Sequence, residues 1–135
     1  MPKILNEILK ELAQKGNFLN VCVIDITSGL HLGAETKIDI PKEVLNIGAA
    51  AFTEMIRPAK IKYIQEYISH FEKEAPENIA FESVVISTAK TKHILVRIKK
   101  SPFYLLITMD KKNTINFEEI KPYLNELIQS LSNLI

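Results

Sequence analysis

The segment AFESVVISTAKTKHILVRIKKSPFYLLITMD, residues 80–110, decides the fold predicted for this chain. It holds three apolar runs with the composition of β-strands, and two short lysine-containing turns join them. Turns this short connect neighbouring antiparallel strands, because a parallel crossover needs a dozen residues or more. The segment therefore predicts three consecutive antiparallel strands.

Two further strands are predicted before this segment. Residues 18–25 (FLNVCVID) are apolar on both alternating faces, which is typical of a strand covered on both sides in the middle of a sheet. A turn at residues 27–29 leads to a short strand at 30–34. Residues 103–107 (FYLLI) are also apolar on both faces. If both doubly apolar strands are central, the strand order is 2-1-5-4-3, with strand three at an edge.

Three helical segments surround these strands along the chain. The first covers residues 4–14, and we expect Gly16 after it to adopt the left-handed conformation of a helix C-cap. The second follows helical spacing over residues 41–74, and Pro58 predicts a kink or two abutting helices within it. The third begins near Asn116, which is a favourable N-cap residue. The element order predicts a single α+β domain over residues 1–135.

The composition is that of an ordinary soluble globular protein. The chain has 135 residues, of which 47% are hydrophobic and 24% charged, and its formal net charge is +1. Such a balance argues against nucleic acid and anionic membranes as partners, although seven basic residues occur between residues 90 and 112. No stretch approaches the ~20 apolar residues of a membrane-spanning helix, and the N-terminus lacks the features of a signal peptide. We therefore expect a cytoplasmic protein.

No group of residues has the spacing of a catalytic or metal site. Cys22 is the single cysteine and lies within an apolar strand, which predicts a buried, unreactive thiol. The three histidines fall in different predicted elements: His31, His70 and His93. The sequence holds no glycine-rich phosphate loop and no serine paired with a histidine base. We therefore expect no enzymatic activity, no cofactor and no metal.

Two features instead predict contacts with other proteins. An apolar strand left open at the edge of a sheet is prone to pair with another chain, and a second copy is the simplest partner for strand three. The run Gly48–Ala51 places small side chains on the second helix, where another backbone can come close. Packing against the sheet and a dimer seam are equally compatible with this run. The tyrosines are expected to pack with only their hydroxyls at the surface: Tyr63, Tyr67 and Tyr104.

These elements resemble the roadblock/dynein light chain family, and in particular its bacterial and archaeal members, some of which regulate Ras-like GTPases. Three segments carry the resemblance. One is the apolar strand 21–25 with the turn 28–30, another is the alanine-rich helix from Pro41, and the third combines residues 81–86 and 103–107. The resemblance covers nearly the whole chain.

The resemblance implies a three-layer α/β/α arrangement in which the long second helix covers one face of the sheet, and helices one and three cover the other. Family members form homodimers or heterodimers through their third strands and second helices, which gives a ten-stranded sheet. They act as scaffolds or regulators that dock a GTPase on the paired helices. No catalytic residue of the family can be carried over to this chain.

We therefore predict a homodimeric, non-enzymatic scaffold or regulator that binds a Ras-like small GTPase. The predicted dimer interface consists of Gly48, Ala51, Met55, Glu82, Val84 and Ile86. The predicted partner-binding residues lie off the main apolar stripe of the second helix and are Asn46, Ala50, Thr53, Glu54 and Arg57. The alternative is a profilin-like or sensor-like domain that binds a small molecule between sheet and helix. The inner strand faces offer few polar groups to orient such a ligand.

Overall fold

A computed structural model of the chain describes residues 4–56, 61–72 and 81–132. These residues form four α-helices and five β-strands, with a short 3-10 helix (Phe117–Glu119) before the last helix. The elements in chain order are α1 (Leu5–Gly16), β1 (Asn20–Asp25), β2 (Leu30–Thr36), α2 (Lys42–Ile56), α3 (Ile61–Ser69), β3 (Ser83–Ser87), β4 (Thr91–Arg97), β5 (Phe103–Asp110) and α4 (Lys121–Ser132).

The five strands form one antiparallel sheet in the order β2-β1-β5-β4-β3, which confirms the predicted topology. The two strands that are apolar on both faces, β1 and β5, are neighbours in its interior, and Cys22 lies opposite both Ala34 and Leu106. A bulge interrupts the pairing of β1 with β2 between Val23 and Ile24. The outer strands are β2 and β3, so β3 lies at an edge as predicted.

Helices α1 and α4 cover one face of this sheet. The α1 side chains at Ile8, Leu9 and Leu12 are fully buried, because their spacing keeps them on one side of the helix. They join a cluster that also contains Leu127 of α4 and the inward side chains of the central strands, such as Leu105. Helix α2 covers the other face, and the predicted three-layer arrangement is confirmed.

The end of α1 differs from the prediction. Gly16 is the last residue of the helix, and Asn17 adopts the left-handed conformation, with φ 52°. The glycine is required for a different reason. A Cβ atom at this position would lie 2.2 Å from the ring of Phe18, which is itself fully buried. Gly16 therefore makes room for Phe18, while Asn17 provides the cap.

Within the long helical segment the structure describes two helices, α2 and α3. The kink predicted at Pro58 lies outside the described residues, as does Arg57. The predicted start of the last helix is correct, since the side chain of Asn116 accepts a hydrogen bond from the N–H of Glu118 at 3.0 Å.

Candidate interaction surface

Helix α2 presents a narrow, small-residue side to the sheet. Ala49, Thr53 and Ile56 are buried there, and they lie over a cluster formed by side chains of the central strands: Cys22, Ile24, Leu95, Tyr104 and Leu106. Small side chains let the helix backbone approach the sheet closely. The small-residue run therefore serves packing against the sheet at Ala49, while Ala50 and Ala51 remain exposed.

Ile56 and the half-buried Phe52 pack on the sheet side of α2, but three other large apolar side chains of this helix face solvent. Val44, Ile47 and Met55 are 45% to 69% exposed, and Ala51 lies exposed between them. These four residues, spaced by three or four positions, form one line along the helix, which we call the α2 stripe. Gly48 adjoins it, and a Cβ atom there would meet nothing within 4 Å. An exposed apolar line of this kind is typical of a protein interface.

The outer edge of β3 is a second open feature of the protomer. The main-chain oxygen of Glu82 accepts from Arg97 of β4 at 2.9 Å, so alternate residues from Glu82 onward direct their main-chain groups to β4. The N–H and C=O groups of Ser83, Val85 and Ser87 therefore point to the open edge. Among the described strands, only β4 pairs with β3.

Side chains of the β3 region have mixed environments. Val84 is half-buried and packs against the cluster under α2, whereas Val85 and Ile86 are exposed. The exposed carboxylate of Glu82 forms an ion pair with Arg97 at 3.3 Å. The residues predicted as a dimer interface thus lie on the α2 stripe or beside it, and along β3. Their role in a dimer stays a prediction.

The predicted partner-facing residues separate into two groups. Asn46, Ala50 and Glu54 are exposed and share a third side of α2, because they are four positions apart. The predicted outward position of Thr53 is wrong, since this residue is only 1% exposed. Its hydroxyl donates to the carbonyl oxygen of Ala49 at 2.8 Å. This bond satisfies the polar group within the helix, so threonine can face the sheet.

Tyr104 also departs from the prediction of a surface hydroxyl. Its side chain is buried, and its hydroxyl donates to the carbonyl oxygen of Phe81 at 2.6 Å. Burial raises the pKa of Tyr104; the guanidinium of Arg97 partly opposes this shift, and the carboxylate of Glu82 adds to it. Tyr104 therefore connects the central strand to the segment that leads into β3.

Two side chains that were considered for chemistry, Cys22 and His93, are held by the surrounding structure. Burial raises the pKa of Cys22 to about 12, so the thiol stays protonated at neutral pH. His93 is hydrogen bonded to Thr91 and Thr108, at 2.9 and 3.0 Å. Within the described parts of the chain, no three His, Cys, Asp or Glu side chains lie close enough together to hold a metal ion. None of the described helices has the length and apolarity to span a bilayer.

Sequence reasoning missed one exposed feature, on α3 and the turn after it. Tyr63, Tyr67 and Phe71 are 62% to 72% exposed, so the first two are not packed in the predicted way. Phe71 belongs to the turn that continues α3, because its N–H donates to Ile68 at 2.9 Å. Their spacing of four residues was the available signal. We call these three residues the α3 aromatic stripe.

Comparison with solved structures identifies the fold. The chain is similar to MglB of Myxococcus xanthus, with 15% identity, a TM-score of 0.67, and coverage of 96% of this chain and 89% of that one. It is also similar to the gliding protein MglB of Thermus thermophilus, with 15% identity, a TM-score of 0.68 and coverage of 94% and 87%. A roadblock/LC7 domain of Streptomyces avermitilis gives 10% identity, a TM-score of 0.65 and coverage of 98% of each chain.

No family model matches the sequence, and no curated protein matches it. The structural similarity shows that the chain has the roadblock/LC7 fold, and it confirms at the level of the fold the resemblance inferred from the sequence.

Proposed function

We propose that this chain forms a homodimer that binds a Ras-like small GTPase and regulates it without contributing catalytic residues of its own. The observation that carries the proposal is the exposed α2 stripe together with the open edge of β3. In support, Val84 of β3 packs against the same buried cluster as Ala49 and Ile56 of α2.

A dimer with its two-fold axis beside β3 would cover both the exposed α2 stripe and the open edge of β3. The free main-chain groups of Ser83, Val85 and Ser87 would pair with those of the same strand in a second copy. The same axis would place the two α2 helices side by side and antiparallel, because a two-fold interface brings each patch against its own copy. Apolar side chains of the α2 stripe would then leave water.

The GTPase part of the proposal rests on the fold and on the exposed side of α2 that carries Asn46, Ala50 and Glu54. The fold is shared with MglB of Myxococcus xanthus and with the gliding protein MglB of Thermus thermophilus, and the sequence resembles a family whose members include GTPase regulators. Pairing of the α2 stripes would leave Asn46, Ala50 and Glu54 on the outer side, with Ala50 short enough for close approach. Regulation would then act by repositioning groups that belong to the GTPase.

Light scattering at roughly tens of micromolar should return the mass of a dimer. A Val85→Lys substitution should weaken this dimer, because it sets two like charges near each other across the axis. Val85 is exposed, so the monomer fold should be retained. Leu30→Lys provides the control, since Leu30 is an exposed residue of the opposite edge strand. A monomeric wild-type chain would contradict the homodimer.

A pull-down from the source cell should retain a small GTPase, and its retention should depend on whether GTP or GDP is bound. Ala50→Arg should lower the affinity at least tenfold, which is about 1.4 kcal/mol. The melting temperature should stay within about two degrees, as for other exposed substitutions. Ala50→Ser is the matched control and should bind normally. If the arginine variant binds with unchanged affinity, the GTPase does not dock on this side of α2.

A further inference from the structure

The open strand β3 is flanked by opposite charges. Glu82 lies directly before the strand, and its side chain is 75% exposed. Lys90 lies in the turn that follows the strand, and it is exposed as well. The residues of β3 between them, Ser83–Ser87, are all uncharged. The edge of the sheet therefore presents an acid where β3 begins and a base after β3 ends.

The main chain holds both charged residues in place. The carbonyl oxygen of Glu82 accepts from the N–H of Arg97 at 2.9 Å, and its carboxylate lies 3.3 Å from the guanidinium of the same arginine. The N–H of Lys90 donates to the hydroxyl of Thr88 at 3.3 Å, and its carbonyl oxygen accepts from the N–H of Lys111 at 3.0 Å. Among the described residues, no carboxylate forms an ion pair with the ammonium group of Lys90. This ammonium is therefore available to a carboxylate of another chain.

Antiparallel pairing of two β3 strands brings the opposite charges together. The longest overlap of two five-residue strands places Val85 on the two-fold axis, because it is the central residue of Ser83–Ser87 and directs its main-chain groups to the open edge. In this register Glu82 lies opposite Thr88 of the partner, and Lys90 of the partner is its diagonal neighbour. Diagonal neighbours are roughly 7–8 Å apart, a distance that long side chains span.

The order of the charges favours a second copy in this orientation. Parallel pairing of two β3 strands would bring each glutamate beside a glutamate and each lysine beside a lysine, and like charges on neighbouring strands are destabilising. Antiparallel pairing makes the contact of Glu82 with Lys90 twice, because a two-fold axis repeats every contact. Arg97 lies on the inner side of Glu82, so the exposed carboxylate would lie between two cations. The edge of β3 is thus complementary in charge to its own copy.

We propose that two symmetric ion pairs, each between Glu82 of one protomer and Lys90 of the other, form at the two ends of the β3 seam and set its antiparallel register. This inference rests on the homodimer proposed above and specifies how its strands pair. Because both side chains are exposed, the pairs act chiefly on the choice of partner and register, since juxtaposed like charges exclude wrong pairings.

Subunit exchange between two charge variants tests the pairing directly. Chains with Glu82→Lys and chains with Lys90→Glu, one of them carrying a mass tag, are mixed in equal amounts and measured by native mass spectrometry. Homodimers of either variant bring like charges together at both ends of the seam, whereas the mixed dimer restores both pairs. The mixed dimer should exceed the two homodimers together at least about threefold, whereas random exchange makes the two amounts equal.

Sedimentation equilibrium provides a second measurement on single variants. Lys90→Glu should raise the dimer dissociation constant at least about fivefold at low salt, and less at high salt, because exposed charges are screened. Lys10→Glu makes the same charge change at an exposed position of α1, on the other face of the sheet, and should leave the constant unchanged. Circular dichroism should show that every variant is folded, since the substituted side chains are exposed.

The two proposals fail in different ways. A dimeric wild type whose variants exchange at random, or whose dissociation constant is the same at low and high salt, would overturn the ion pairs alone. A monomeric wild type would overturn the homodimer together with them.

Discussion

Helices α1 and α2 both lie on the central sheet, yet they use their apolar residues in opposite ways. On α1 the large side chains of Ile8, Leu9 and Leu12 are buried against the strands. On α2 the larger side chains of Val44 and Ile47 point to solvent. Small residues make much of its contact with the sheet. The apolar stripe of a helix shows which side chains need to be buried. It does not show whether the same chain or a second chain buries them.

The difference follows from which side of each helix carries its large apolar side chains. On α1, leucine and isoleucine side chains face the sheet and fill the space between the helix and the strands. On α2, the side that faces the sheet carries Ala49 and Thr53 together with the larger Ile56 and the half-buried Phe52, and the α2 stripe lies on another side. An assembly surface can therefore be present on a helix without weakening its attachment to the sheet.

The largest effect is expected from a charge on the sheet side of α2. Thr53→Arg would place a long charged side chain where the threonine is 1% exposed, and it would break the bond to Ala49. Burial of an unpaired charge and overpacking should together lower the free energy of unfolding by at least about 4 kcal/mol. Urea denaturation measures this loss.

Ala50→Arg is the matched control for this experiment, because it introduces the same side chain three positions earlier, on an exposed side of α2. It should change the free energy of unfolding by less than ~0.5 kcal/mol. If Thr53→Arg were equally harmless, the two sides of α2 would not differ as described above.

A somewhat smaller effect is expected from truncation on α1. Leu12→Ala should lower the free energy of unfolding by about 3 kcal/mol, because the fully buried side chain leaves a cavity. Ile47→Ala on the α2 stripe is the comparison. Measured in the Val85→Lys background, where the dimer is expected to be weak, it should cost less than ~0.5 kcal/mol. Equal losses at both positions would show that the protomer itself covers Ile47.

Much of the fold could be predicted because its signals are local. The strands β1 and β5 are apolar on both faces, which predicts their position in the interior of the sheet. The short turns after β3 and β4 predict that the strands they join are antiparallel neighbours. The side chains of Asp25 and Asp110 accept hydrogen bonds from main-chain N–H groups two residues later, as expected for carboxylates in turns.

The candidate surface could be predicted only in part. Apolar periodicity identified a stripe on α2 but placed Thr53 on the outer side. A threonine hydroxyl is polar, and its burial can be predicted only when its hydrogen-bond partner is known. That partner is the carbonyl oxygen of Ala49 in its own helix. Gly16 was assigned to the wrong role for a similar reason, since the demand of the Phe18 ring for space becomes visible only in three dimensions.

The sequence by itself determined the helical segments and the antiparallel neighbours that short turns join, since apolar periodicity and turns act between residues near in the chain. It also determined the strand order, because the two strands that are apolar on both faces, β1 and β5, both need cover inside the sheet. Only the tertiary structure decided which side of α2 meets the sheet, that Asn17 caps α1, and that the rings of α3 face solvent. These outcomes depend on packing between segments distant in sequence, where the volume of one side chain determines what room is left for another.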